Sequence, residues 1–177
     1  MSVRFFTQAD LDEYLAAGDL LLGLLGDERA EGLTGERWLL ESEAKRMIAW
    51  AVYEPLLALG DLYILDVGAG FSSLSFLLAE RHNYLAVDLC APDDPLPQVP
   101  CFRGDWWDTG HAWADEIVVS VDLFPNVDQR LDAFLRRFAG CSLRLALTVY
   151  EDRWYRTRRE DADELLTMQA WDWSQTQ

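Results

Sequence analysis

Aspartates recur where apolar runs of this chain end, and glycines and serines crowd the first of them. In "YILDVGAGFSSLSF" (63–76) an apolar run closes on Asp66, passes Gly68, Ala69 and Gly70, and reaches Ser72, where a second apolar run starts. "YLAVDL" (84–89) ends in Asp88 and Leu89, "FRGDWWD" (102–108) holds Asp105 and Trp106, and "VVSVDLF" (118–124) brings Asp122 and Phe124. Glycines let a backbone approach a ligand with no Cβ in the way, and Ser72 or Ser73 can cap a helix beyond the turn. Carboxylates accept hydrogen bonds from hydroxyl, amino and amide groups and attract cations. The chemistry such residues favour is recognition of a neutral ribose, an ammonium or a sulfonium.

Competing ligands fit less well. A nucleoside triphosphate turn needs Gly-Lys-Ser/Thr after four intervening residues, and no such lysine follows these glycines. A dinucleotide fingerprint needs a third glycine where Ser73 stands, and residues beyond 110 leave little room for a second mononucleotide half with a substrate domain. Anionic pyrophosphate is disfavoured among so many aspartates. A nicotinamide reductase is therefore an outside reading.

In these residues the chain resembles the class I S-adenosylmethionine-dependent methyltransferases over roughly residues 40 to 150. "ILDVGAG" is similar to their first motif, "YLAVDL" to the strand with the ribose-binding acid, and "FRGDWWD" to the adenine-binding turn. The resemblance implies that Asp66, Gly68 and Gly70 surround the methionine part of S-adenosyl-L-methionine, with Ala69 and Ser72 also among the cofactor-binding residues. It implies that Asp88 accepts the ribose hydroxyls and Leu89 packs on the adenine. Asp105 would accept from the adenine amino group, with Trp106 offering its backbone N–H and a flat wall. Asp122 and Phe124 would lie around the methyl group. His82 and His111 are the only histidines; His111 alone of them could fall near the site, and the aspartates, Asp122 foremost, and Tyr150 are the other candidates for handling the acceptor's proton. The bland alternatives stay open: Asp88 or Asp122 could merely start a turn, and Trp106 and Trp107 could be core aromatics.

The elements that must position these residues read as an α/β fold. Residues 7–25 read as an amphipathic helix opened by Thr7 with Asp10 three positions on. A Gly- and charge-rich link, "GDERAEGLTGER", leads to a second helix near 41–59, which Pro55 should kink or divide. These helices and Trp38 would cover the mouth of the site. Strands follow at 62–67, 84–89, 101–103, 116–124 and 143–150, with a helix after Ser72 and another in 126–140, capped by Asn126 and Gln129 and presenting Val127 on its apolar side. Proline-rich residues 90–100 replace a crossover helix with a loop. Strands separated by helices predict parallel pairing and right-handed crossovers. The expected architecture is one domain: a helical cap over 1–60, an open, mostly parallel Rossmann-like sheet over 61–150 with helices on both faces, and a shortened C-terminal end at 151–177 forming a tail or edge element.

Composition narrows the partners. Acidic residues number 31 against 15 basic, a net charge of −16, which repels nucleic acid. That charge reads as a solvated surface or as steering for a cationic substrate. Cys90, Cys101 and Cys141 are odd in number and lack metal-site spacing, so neither a zinc site nor a disulfide framework is indicated. "DLLLGLLGD" has no basic flank and is too short to span a bilayer, so a cytoplasmic protein is expected, with a small-molecule acceptor, an amine being the favoured class, as partner and a homodimer compatible. Besides methyl transfer, aminocarboxypropyl transfer, cyclisation and a non-catalytic cofactor-binding subunit are the alternatives.

Overall fold

The structure, a computed structural model, describes residues 4–26, 32–89, 98–110, 117–124 and 127–147. A five-stranded sheet forms its centre: β1 (Tyr63–Val67), β2 (Asn83–Asp88), β3 (Cys101–Arg103), β4 (Ile117–Val121) and β5 (Ser142–Ala146). Every pairing is parallel, in the order β3-β2-β1-β4-β5. The chain moves outward from β1 through β2 to β3, then returns to the other side of β1 for β4. This reversal makes the carboxyl ends of β1 and β4 a topological switch point, the position at which open α/β sheets hold ligands.

Alternation along β1 explains the layers. Ile64 joins a core that includes Met47, Tyr53 and Leu56 of helix α3 (Glu43–Leu57) and Leu74 and Leu78 of helix α4 (Ser73–Arg81). Leu65 and Val67 face the other way, into a core with Val118, Phe134 of helix α5 (Leu131–Arg137) and Phe138. Helices therefore cover both faces, and the fold is α/β and Rossmann-like as the sequence predicts. Among the described residues no helix is long and apolar enough to cross a membrane.

The cap departs from expectation. Helix α1 covers only Gln8–Ala16, opened by Thr7, whose N–H reaches the Asp10 carboxylate at 2.7 Å. Gly18 (φ +100°) and Asp19 (φ +47°) break it, and Leu22–Leu24 forms a separate 3-10 turn. Asp19 takes both Nε and Nη2 of Arg46 from α3 and the Tyr14 hydroxyl, which locks the break in place. Helix α2 (Thr34–Leu40) starts inside the expected link. Its first turn is held by tertiary bonds, so local pattern gave no sign of it. Pro55 does not divide α3: it falls in the last turn, with only Leu56 and Leu57 beyond, and the fully buried Leu56 anchors that end. Helix α5 begins later than predicted, after Arg130, so Val127 precedes it and is exposed. Asn126, residues 90–97, 148–150 and the tail at 151–177 lie outside the described residues.

Candidate functional site

β1 leads into a left-handed turn. Gly68 (φ +70°), Gly70 (φ +59°) and the buried Phe71 (φ +55°) adopt backbone that favours glycine. The Gly68 N–H donates to the Val87 carbonyl at 2.8 Å, tying the turn to β2. Ser72 then caps α4: its hydroxyl accepts from Leu74 N–H, and its own N–H donates to Ser75 Oγ. The glycines are needed by the chain itself. A Cβ on Gly68 would stand 3.0 Å from the Leu123 side chain, and one on Gly70 would stand 2.9 Å from the Gly35 nitrogen. Ala69 lies between them and packs against the cap-side core.

Asp66 sits beneath this turn. It is 2% exposed and accepts from the Tyr53 hydroxyl at 3.0 Å and the Tyr84 hydroxyl at 2.9 Å. Burial pushes its carboxyl up to about 7; the tyrosine hydroxyls oppose the rise and the Asp88 charge adds to it. Its contacts make it a support for the turn from below.

Asp88 stands at the rim. It closes β2, is half-buried, and its Oδ2 accepts from the Gly70 N–H at 2.8 Å. Pairing of Asp88 with Arg103, and the Gly104 N–H on the Asp88 carbonyl, bring Asp105 alongside at the end of β3. Leu89, at 62% exposure, presents an apolar side chain next to Asp88.

Asp105 and Trp106 have structural partners that the sequence did not indicate. Asp105 accepts from the Trp107 N–H and from Arg130, each at 2.8 Å. Trp106 is 4% exposed and turns its ring inward, edge-on to Phe134 at 5.3 Å and to Phe124 at 6.3 Å. Its indole N–H donates to Asp128 at 2.7 Å, while the Arg130 guanidinium lies over the ring. Phe124 is fully buried in the same cluster, so it reaches the site only as packing beneath it.

Asp122 follows β4 in left-handed backbone (φ +57°), and its N–H donates to the Ala146 carbonyl of β5. The Trp38 indole N–H of α2 reaches its Oδ2 at 3.0 Å across a sequence separation of 84. The first turn of α2 meanwhile grips the glycine turn: Gly35 N–H and Thr34 Oγ1 donate to the Gly70 carbonyl, and Glu36 N–H to that of Phe71. The fully buried Glu36 carboxylate accepts from Ser73 N–H and Oγ and from Gly26 N–H.

The topology thus brings Asp88, Asp105 and Asp122 to the carboxyl edge of the sheet around the glycine turn, and keeps Asp66, Trp106 and Phe124 buried below it. Tyr150 and His111 lie outside the described residues. His82 stands at the opposite, amino end of β2, its Nδ1 accepting from Leu62 N–H. Thr34, Gly35, Glu36, Asp128 and Arg130 were not foreseen, because each acts through a partner distant in sequence or a turn without local signature. Among the described residues no group of three His, Cys, Asp or Glu side chains could hold a metal ion. An edge lined by carboxylates, with the N–H groups of Gly68, Gly70 and Ser72 already engaged, suits a ligand that donates hydrogen bonds or carries positive charge. No protein-family model, curated protein or solved structure matches the chain.

Proposed function

We propose that the protein is an S-adenosyl-L-methionine-dependent methyltransferase acting on a small-molecule acceptor, with an amine as the favoured class. The observation that carries this reading is the juxtaposition of Asp88 with the Gly68–Ser72 turn at the switch point of the sheet. A carboxylate there can receive ribose hydroxyls, and an acidic rim with Asp105 and Asp122 suits a cationic cofactor better than a pyrophosphate. When bound, the cofactor supplies an electrophilic methyl group on a sulfonium that is its own leaving group. The chain's part is then positioning in a site from which water is excluded. Asp88 would hold the ribose, Leu89 would offer apolar contact to the base, and Asp105 would accept from its amino group. Trp106, with its ring in the core, would contribute backbone alone. Asp122 would orient the acceptor's nitrogen and take its proton.

The test is calorimetric titration with S-adenosylhomocysteine and with NADH. S-adenosylhomocysteine should bind in the micromolar range and raise Tm, since a ligand that binds only the folded state stabilises it, whereas NADH should do neither. Asp88→Ala should cost roughly 2–4 kcal/mol of that affinity, the worth of two hydrogen bonds to a charged acceptor after partial compensation by water. Heat from NADH with none from the nucleoside would refute the assignment.

A further inference from the structure

Phe71 and Asp122 sit at the mouth of the site in left-handed backbone, which Asp adopts more readily than Phe but which is kept in place where the surroundings over-determine it. One short stretch supplies much of that determination in both cases. Thr34, Gly35 and Glu36 bind the carbonyls of Gly70 and Phe71, the Glu36 carboxylate ties down Ser73, and Trp38 binds the Asp122 carboxylate. Residues 34–38 thus link the loop after β1 to the loop after β4.

We infer that residues 34–38 are the positioning segment of the site, setting the glycine turn and Asp122 together so that the docking of α2 and ligand binding are coupled. The fit is tight enough to prove it by substitution. A Cβ on Gly35 would stand 2.7 Å from the Phe71 carbonyl oxygen and 3.0 Å from that of Ala69, both backbone atoms that cannot swing aside. In an undocked helix, Ala in place of Gly would favour the helix. The docked geometry reverses that sign. Trp38 acts differently: its indole N–H bonds Asp122, so its removal should loosen the loop after β4 and leave the glycine turn.

Hydrogen exchange on the full chain, without ligand, tests the positioning. Gly35→Ala should speed exchange roughly tenfold in peptides covering 66–76, and Trp38→Phe should do so in 118–124 while sparing 66–76. Should Gly35→Ala not fold, Thr34→Val removes only the hydroxyl bond to the Gly70 carbonyl and should raise exchange about threefold. Unchanged exchange in these peptides would overturn the inference whatever the ligand. A second arm rests on the methyltransferase reading and compares S-adenosylhomocysteine with the S-adenosylmethionine analogue in which an amine-bearing carbon replaces the methylated sulfur. Trp38→Phe should weaken the amine analogue roughly tenfold, the scale of one charge-assisted bond, and S-adenosylhomocysteine by less than about threefold. Equal affinity of the amine analogue for Trp38→Phe and the parent would overturn the role of Trp38. Failure of S-adenosylhomocysteine to bind the parent protein would instead refute the methyltransferase reading and leave the exchange result to decide the positioning.

Discussion

Asp66→Asn isolates the energetics of the carboxyl buried beneath the turn. Asn keeps the shape but cannot ionise. In the folded protein Asp66 holds its proton up to about 7, against 3.8 for the ordinary group, chiefly because burial penalises the charged form. The sign follows from proton counting. Below about pH 4 both folded and unfolded chains are protonated at this position, and it adds nothing to the pH dependence. Between about 4 and 7 the unfolded chain has released the proton and the folded chain has not, so stability falls as pH rises. Above about 7 both are ionised and the full deficit is present. A displacement of about three pH units at about 1.4 kcal/mol each sets an upper bound of about 4 kcal/mol. The hydroxyls of Tyr53 and Tyr84, which bond the ionised form, are already included in that balance. Urea denaturation of both proteins at pH 5, 6, 7 and 8, followed by circular dichroism, gives the difference in stability at each pH. The variant should gain on the parent steadily from pH 5 to 7 and level off by pH 8. Any constant offset reports the amide's altered hydrogen bonds with the tyrosines, and His82 titrates equally in both proteins. Parallel curves would refute the buried-acid argument.

Other substitutions probe the site and its supports. Asp122→Asn should keep S-adenosylhomocysteine affinity within about threefold yet lower turnover roughly 10²-fold, the usual scale of general acid–base assistance; normal turnover with an acceptor found by an amine screen would leave Asp122 a turn residue. Arg46→Ala should destabilise the protein by about 3–5 kcal/mol in urea, because it strands Asp19, whose side chain is 12% exposed, without its guanidinium partner. Ser72→Ala removes the cap of α4 and should cost about 1 kcal/mol, seen as a fall in Tm with secondary structure intact.

Local pattern carried the central sheet. Leu65, Val67, Val87 and Val118 belong to short apolar runs whose residues alternate between faces, and each run ends in glycine or aspartate, so strand positions and the turn after Asp66 were legible in the sequence alone. Ser72 was legible as a cap for the same reason: its partners, Leu74 and Ser75, are its near neighbours. Tertiary structure decided which polar and aromatic groups face the carboxyl edge of the sheet. Asp66 and Asp88 look alike in sequence, each closing an apolar strand, but two tyrosines from other elements bury the first while the second stays at the rim. Trp106 turned inward because Phe124, Phe134 and Phe138 assemble a cavity for its ring and Asp128 meets its N–H. Helix α2 exists as a docked element because its leading N–H groups find the carbonyls of Gly70 and Phe71. Periodicity records which face of an element is apolar; the partner that satisfies a carboxylate, an indole or a helix end is fixed only when distant segments meet.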